Sequence, residues 1–418
     1  MTETTSPQAE ALSGLKIIDI ATLFAGPGIA TILGDFGADV IKVDHPRGDD
    51  IRRMGWQKDD HSLWSLLISR NKRSITLNLS KPSGQEALKR LVKDADVLVE
   101  NFRTGTLERW NIGPDVLHAI NPGLVIVRTT GFGQTGPYSG QAGFGTAAEA
   151  MSGFAYSNGY ADGPPTLPPS ALADGVAGIT GTYAVMIALW WRDRNNGTGQ
   201  VIDLSLFEPL FSLMGIQTPV FDQLGLIQER IGNALPFSAP RNVYQAMDGT
   251  WLALSGTSQS VAERIMHIIG RPDLVDEPWF RDQPGRLGHA AELDHAISAW
   301  IGTHSAENAI TAFRDGNAVI APIYSIADCF ADPQYIARKV IISVDHPDLG
   351  PIRVPAPVPR LSMTPGRIRH LGPDLGVHNE EVLMGELGMT REELDALLAD
   401  ATATDAPASR STTGRNES

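Results

Sequence analysis

The sequence predicts an α/β protein: a parallel sheet built by the first half of the chain, followed by a smaller α+β unit. Three observations support this. Short apolar strands alternate with helical segments through the first half, the pattern of βαβ units. Those strands are nearly continuous in Val, Ile and Leu, as strands covered on both faces should be. From about residue 220 the pattern changes to a hairpin followed by helices.

The elements follow in order. LKIIDI, 15–20, is a strand. AGPGIATILGDFG continues it as a loop and helix, with Pro27 suited to a first helical turn. Strands are expected at 38–44 and 74–79, a helix at 83–93, and further strands at 96–102 and 124–130. A long helix spans 175–192, and 200–208 is a strand that enters another helix. The segment 241–256 reads as a hairpin around Asp248 and Gly249. Helices follow at 260–269, 293–303 and 306–315. From residue 321 the chain is rich in proline (APIY, DHPDLGP, VPAPVP), which suits extended segments crossing between domains. A final helix is expected at 391–399, and the polar residues 401–418 are expected to be disordered. No internal repeat is present.

The 418 residues carry a net charge of -14. That argues against general nucleic-acid or membrane-surface binding, but leaves room for an anionic ligand at a local basic cluster. One cysteine, Cys329, rules out an intramolecular disulfide and suits a reducing cytoplasm. No apolar run approaching ~20 residues is read, so no transmembrane helix is expected. Residues 1–13 form a polar lead-in rather than a signal peptide.

Asp174 stands out in PPTLPPSALADGVAGITG, where a proline-rich turn gives way to an apolar helix of small residues. Ala and Gly around a lone carboxylate leave room for a bulky ligand. Asp174 is therefore a candidate covalent nucleophile, although an aspartate at this place commonly caps the helix. The run Gly131–Gly136 matches G-x-G-x-x-G after a strand, but Pro137 follows where a helix should open. A dinucleotide role loses its mechanism there. Asp44, at the end of the second strand, reads as a solvated strand end. The cluster around Arg70, Lys72 and Arg73 is the densest positive charge in the chain. Asn101, Phe102 and Arg109 follow a strand on the side where parallel sheets bind ligands, and a ring with a guanidinium suits a purine and a phosphate. No Walker loop, H-E-x-x-H, G-x-S-x-G or C-x-x-C is present. The histidines show no metal-ligand spacing, so no metal is expected.

Together these segments resemble the class III CoA-transferases, the family of formyl-CoA transferase, carnitine CoA-transferase and α-methylacyl-CoA racemase. The resemblance rests on LSGLKIIDIATLFAGPGIATILGDFGADVIKVDHPRGDD, NKRSITLNLSKPSGQEALKRLVKDADVLVENFRTGTLERWNIG, GFGQTGPY, DGPPTLPPSALADGVAG and NNGTGQVIDLSLFE, in that order. It implies a Rossmann-like large domain made from both chain ends, a small domain between them, and an interlocked homodimer. The division is then 14–224 and 326–400 for the large domain and 225–325 for the small one.

The same resemblance implies that Asp174 is the catalytic aspartate and that Phe24, Ala25, Lys72, Asn101, Phe102 and Arg109 contact coenzyme A. CoA enters as part of the substrate, with no tightly bound cofactor; the partners are an acyl-CoA and a small carboxylate, in the cytoplasm. Family racemases carry a histidine where this chain has Phe144, which cannot exchange a proton at an α-carbon. This favours acyl transfer over racemisation. An auxiliary glutamate of some members is replaced by Gly145, and the glycine-rich flap by the one-glycine loop 255–259. Gln141, Phe144, Tyr156 and Tyr160 are expected around the acyl group.

Overall fold

The computed structural model describes residues 10–402. The first nine residues of the expected lead-in lie outside that range, as does the expected disordered tail from residue 403 onward. The chain forms two units. One comprises Met1–Ala148, Ser170–Leu210 and Ile341–Ser418; the other comprises Glu149–Pro169 and Phe211–Val340.

The first unit contains a six-stranded sheet of β1 (Lys16–Asp19), β2 (Asp39–Asp44), β3 (Lys72–Thr76), β4 (Val97–Glu100), β5 (Val125–Thr130) and β6 (Val201–Ser205). The order is β3-β2-β1-β4-β5-β6, and every pairing is parallel. This is the strand order of a Rossmann-type sheet, with its topological switch beside β1 and β4. Ile17, Ile18, Val97, Leu98, Val125 and Ile126 are wholly buried. Each such side chain contributes ~1.5–3 kcal/mol by leaving water.

Six helices matter here: α1 (Ala25–Asp35), α2 (Leu63–Ile68), α3 (Pro82–Val92), α4 (Thr106–Arg109), α5 (Pro114–Ile120) and α6 (Leu172–Arg192). Prolines open α3 and α5, where the missing N–H costs nothing. α3 buries the stripe Ala87, Leu88, Leu91 and Val92. α6 lies against α1. At Gly181 an added Cβ would sit 2.3 Å from Ile29 Cδ1, so this small residue serves close helix packing rather than ligand access.

Several expectations are corrected. β3 runs over 72–76 rather than 74–79, because its register with β2 begins at Lys72 opposite Val40. Lys72 and Arg73 are thus in the sheet, while Arg70 sits in the turn before it. Asp44 is 2% exposed rather than solvated; Lys42 (3.0 Å) and Arg52 (2.9 Å) pair with it. Burial opposes its ionisation, but those two cations hold its carboxyl below the usual range. The expectation of no membrane-length apolar stretch also fails: α6, at 21 residues, is long and apolar enough to cross a bilayer by length and composition. The proline-rich stretch is not extended throughout. It contains the helices Ile326–Ala331 and Pro333–Ala337 and, in the first unit, the hairpin Ile341–His346 with Gly350–Pro355. Pro347 falls in that hairpin's turn and Pro351 and Pro355 in its second strand.

The second unit holds an antiparallel sheet of Arg241–Gln245, Trp251–Ser255 and Ile320–Pro322. The expected turn at Asp248 is fixed by that carboxylate, which accepts from the N–H groups of Thr250 (3.1 Å) and Ala306 (2.9 Å). Helices Gln259–Ile268, Ala290–Ile301 and Ala306–Asp315 supply its apolar core. The loop 255–259 is tied down: the Thr257 hydroxyl lies 3.2 Å from that of Ser255 and accepts from that of Ser238 at 3.1 Å.

Candidate active site

In parallel sheets ligands gather beyond the carboxyl ends of the strands. The first unit has two cavities there. A large one of about 670 Å³ is walled by Thr22, Leu23, Arg47, Arg53, Phe102 and Trp110, among others. A smaller one of about 190 Å³ is walled by Phe24, Ala25, Asn101, Phe102, Phe144 and Asp174. Thr22, Leu23 and Phe102 belong to both. A third cavity, of about 270 Å³, has Phe24, Trp64, Ile68, Asp174 and Gly175 in its wall. Asp174 thus faces two cavities, and one of them adjoins the largest.

Asp174 occupies the first turn of α6, whose cap is Ala171, so the capping alternative does not hold. An anion at this end of a helix gains ~0.3–1 kcal/mol from the aligned peptide dipoles. A Cβ added at Gly145 would stand 2.2 Å from Asp174 Oδ2. The carboxylate therefore fills the space that a side chain at position 145 would need.

The strand-end loops are held by side-chain bonds. Asn101 Oδ1 accepts from the N–H of Thr22 (2.8 Å), and its Nδ2 donates to the Thr22 carbonyl (2.7 Å). This staples the end of β4 to the loop before α1. Leu23 has φ +63°, a strained conformation for a branched side chain. Its N–H is anchored on Asp49 Oδ2 at 2.9 Å. Phe24 packs edge-on against Trp64, centroids 4.9 Å apart, and Phe102 edge-on against Trp110 at 5.0 Å.

Beneath Phe102 lies Glu100, wholly buried. Its Oε2 accepts from the N–H of Phe102 (2.7 Å) and its Oε1 from Arg128 Nε (2.8 Å). Arg128 reaches on to Glu108 in α4 (2.7 and 3.2 Å). Burial pushes the Glu100 carboxyl up to about 7, against the pull of Arg128.

Lys72 and Arg109 stand apart from the other expected CoA contacts. Lys72 is wholly buried, donating to Asp19 Oδ2 (2.8 Å) and to the carbonyl of Pro27 in α1 (2.7 Å). Burial pushes its ammonium below the ordinary lysine range, although Asp19 opposes this. Arg70 likewise pairs with Asp35 (2.7 Å), and Arg73 with Asp39 (2.6 Å), Glu381 (2.9 Å) and Glu386. The basic cluster is neutralised within the fold. Arg109 is exposed and donates to Thr106 Oγ1 at 2.9 Å, beside Trp110.

Of the residues expected around the acyl group, Gln141 and Phe144 wall the Asp174 cavity. Tyr156 and Tyr160 belong to the second unit, bonded there to Glu229 (2.8 Å) and Asn233 (2.9 Å). Sequence reasoning missed Trp64, Trp110 and three threonines. The hydroxyls of Thr104, Thr129 and Thr130 are buried without a hydrogen-bond partner, and all three residues wall the Asp174 cavity. A buried orphan hydroxyl costs ~1–3 kcal/mol, which a polar ligand atom would relieve.

The family described as CoA-transferase family III matches residues 12–379. The chain belongs to this family. A relative named succinyl-CoA–L-malate CoA-transferase beta subunit, from Chloroflexus aurantiacus, is 42% identical over 95% of this chain and 98% of its own length. From the same organism, a protein named succinyl-CoA–D-citramalate CoA-transferase is 40% identical over 93% of this chain and 97% of its own. The solved structure of a CAIB/BAIF family protein from Brucella suis superposes with a TM-score of 0.79 at 30% identity, covering 91% of this chain and 100% of that one. The protein is thus an acyl-CoA:carboxylate CoA-transferase of family III.

Proposed function

We propose that this CoA-transferase moves CoA from succinyl-CoA to a small dicarboxylic or hydroxydicarboxylic acid, with Asp174 as covalent nucleophile. The observation that carries this reading is the place of Asp174 in the wall of two cavities, one of which shares Thr22, Leu23 and Phe102 with the larger strand-end cavity. The printed names of the two Chloroflexus relatives support the choice of substrates.

The cleft accommodates CoA along its length. Phe102, Trp110, Arg47 and Arg53 face the nucleotide end, and Thr104, Thr129 and Thr130 offer hydroxyls to the polar groups of the thioester arm. Asn101, Phe24 and Ala25 hold the turn beside the reacting carbon. Lys72 acts from beneath, bracing α1 through Asp19 and the Pro27 carbonyl. Arg109, exposed on α4, contributes charge next to Trp110.

An oxygen of Asp174 attacks the thioester carbonyl, the C–S bond breaks, and CoA leaves as thiolate with a mixed anhydride behind it. The thiolate attacks the aspartyl carbonyl and releases the donor carboxylate, leaving an aspartyl-CoA thioester. The acceptor carboxylate attacks that thioester, forms a second anhydride and expels the thiolate. The thiolate then takes the new acyl group and frees Asp174. No proton is gained or lost over the cycle. Water has to be kept out, since anhydrides hydrolyse. Phe144 supplies no base for α-carbon exchange, which separates this reading from a racemase.

A homodimer completes the reading. Ile179, Tyr183, Met186, Ile187 and Trp190 leave one face of α6 exposed and apolar, as a helix awaiting a partner surface would be. Incubation with succinyl-CoA and hydroxylamine tests the nucleophile: Asp174 becomes a hydroxamate in the wild type if the acyl-enzyme forms. An unlabelled Asp174 during active turnover refutes it.

A further inference from the structure

We infer that His61, His346 and Asp348 form a binding site for a divalent transition metal of the zinc class. Their ligand atoms all lie within 4.8 Å of one another, and no other such trio occurs among the described residues. His61 closes a short hairpin, Gln57–Lys58 with His61–Ser62. His346 ends the first strand of the hairpin Ile341–His346 with Gly350–Pro355, and Asp348 lies in its turn. Both hairpins belong to the first unit.

One of the three ligand separations already matches what a metal requires, and the others lie within 4.8 Å. Tetrahedral sites with metal–ligand bonds of ~2.0–2.1 Å place ligand atoms roughly 3.3 Å apart. His61 Nε2 and Asp348 Oδ2 are already 3.4 Å apart. The His61 and His346 rings meet edge to face, centroids 4.9 Å apart. His346 Nδ1 accepts from the Asp348 N–H at 3.2 Å, so that nitrogen carries a lone pair rather than a proton. A metal on that lone pair would displace this hydrogen bond, and the freed Asp348 N–H would bond to water. Two imidazoles and one carboxylate suit zinc, nickel or copper far better than magnesium or calcium. With three protein ligands, water fills the fourth position.

The site lies where a tether has something to hold. The second hairpin packs Val344, Leu349 and Val354 into a small apolar cluster with Leu66 and Leu371. Leu66 belongs to α2, which is capped by Ser62, the residue after His61. α2 carries Trp64 and Ile68, both in the wall of the third cavity, which Asp174 also lines. A metal on the trio would lock α2 against the second hairpin and stiffen that wall.

The test is calorimetric titration of the full chain, freed of metal with a chelator, with zinc chloride, and in parallel with magnesium chloride. The inference predicts one equivalent of zinc bound with micromolar affinity and no heat from magnesium. It predicts at least tenfold weaker zinc binding in His346→Ala and in Asp348→Asn. It also predicts a zinc-dependent rise in melting temperature that the double variant His61→Ala, His346→Ala lacks. Should a variant fold poorly, cobalt bound to the wild type decides: strong visible bands of four- or five-coordinate cobalt support the site, and the weak bands of a six-coordinate ion overturn it. Absence of zinc binding, or binding undiminished in the double variant, also overturns it.

Discussion

Gly145 and Asp174 share one space: a Cβ at position 145 would stand 2.2 Å from the carboxylate oxygen Oδ2. Glycine at 145 is therefore what lets the carboxylate lie where it does, between two cavities. Gly145→Ala should displace the Asp174 side chain rather than unfold the protein, because the obstructing atom ends a side chain. A misplacement of ~1 Å at a reacting group costs about 100-fold in rate. Steady-state kinetics and a thermal melt check this: kcat should fall at least tenfold while the melting temperature moves little.

The threonine hydroxyls make a second prediction. Thr129 is 2% exposed and its hydroxyl has no partner. Thr129→Val removes an orphan polar group, so stability should hold or rise slightly. If that hydroxyl meets the bound thioester, the loss of one hydrogen bond, ~0.5–1.5 kcal/mol, should raise KM for acyl-CoA roughly two- to tenfold. An unchanged KM would remove Thr129 from the site.

For Lys72, ion-pair burial sets the expectation. Lys72→Ala leaves Asp19 wholly buried without its cation. Breaking a buried pair from one side costs ~3–5 kcal/mol. Urea unfolding should report a loss of that size, and Lys72→Ala with Asp19→Ala together should recover part of it. A fully stable Lys72→Ala variant with raised KM for CoA would instead make Lys72 a direct ligand contact.

Glu100 makes stability depend on pH. In the folded chain it keeps its proton up to about pH 7, whereas its ordinary value is 4.5. Between those values the native state binds the extra proton. Its contribution is thus full below about pH 4.5 and is lost as pH rises through about 7. The shift corresponds to on the order of 3 kcal/mol. Glu100→Gln has no such proton to lose. The wild-type minus variant stability, measured by urea unfolding across that window, should fall by an amount of that order; a flat difference would contradict the assignment.

Much of the sheet is legible because β1, β2, β4 and β5 each hold a run of two or three adjacent Val, Ile or Leu residues, whose burial needs no knowledge of partners. The sequence reading starts β3 two residues late, since Lys72 and Arg73 look solvent-bound until Asp19 and Asp39 are seen beside them. The same blindness made Asp44 look exposed. Ion pairs across strands leave no local trace. The turn-and-a-half at Glu380–Glu386 was not read, although Val382 and Leu383 plug the sheet's core. Asp174 was visible as a lone charge among small residues, and Phe24, Asn101 and Phe102 through family motifs. The cavities, Trp64 and the orphan hydroxyls depend on convergence of distant loops, which no spacing encodes.

The most direct measurement follows the fate of one carboxylate. Wild type and Asp174→Ala are each given succinyl-CoA and an acceptor acid, with and without hydroxylamine, and intact and digested protein is weighed by mass spectrometry. The account predicts an acyl or CoA adduct on Asp174 in the wild type, conversion to the hydroxamate by hydroxylamine, and no transfer in the variant. Transfer at the wild-type rate by Asp174→Ala, or turnover that never marks residue 174, would contradict it.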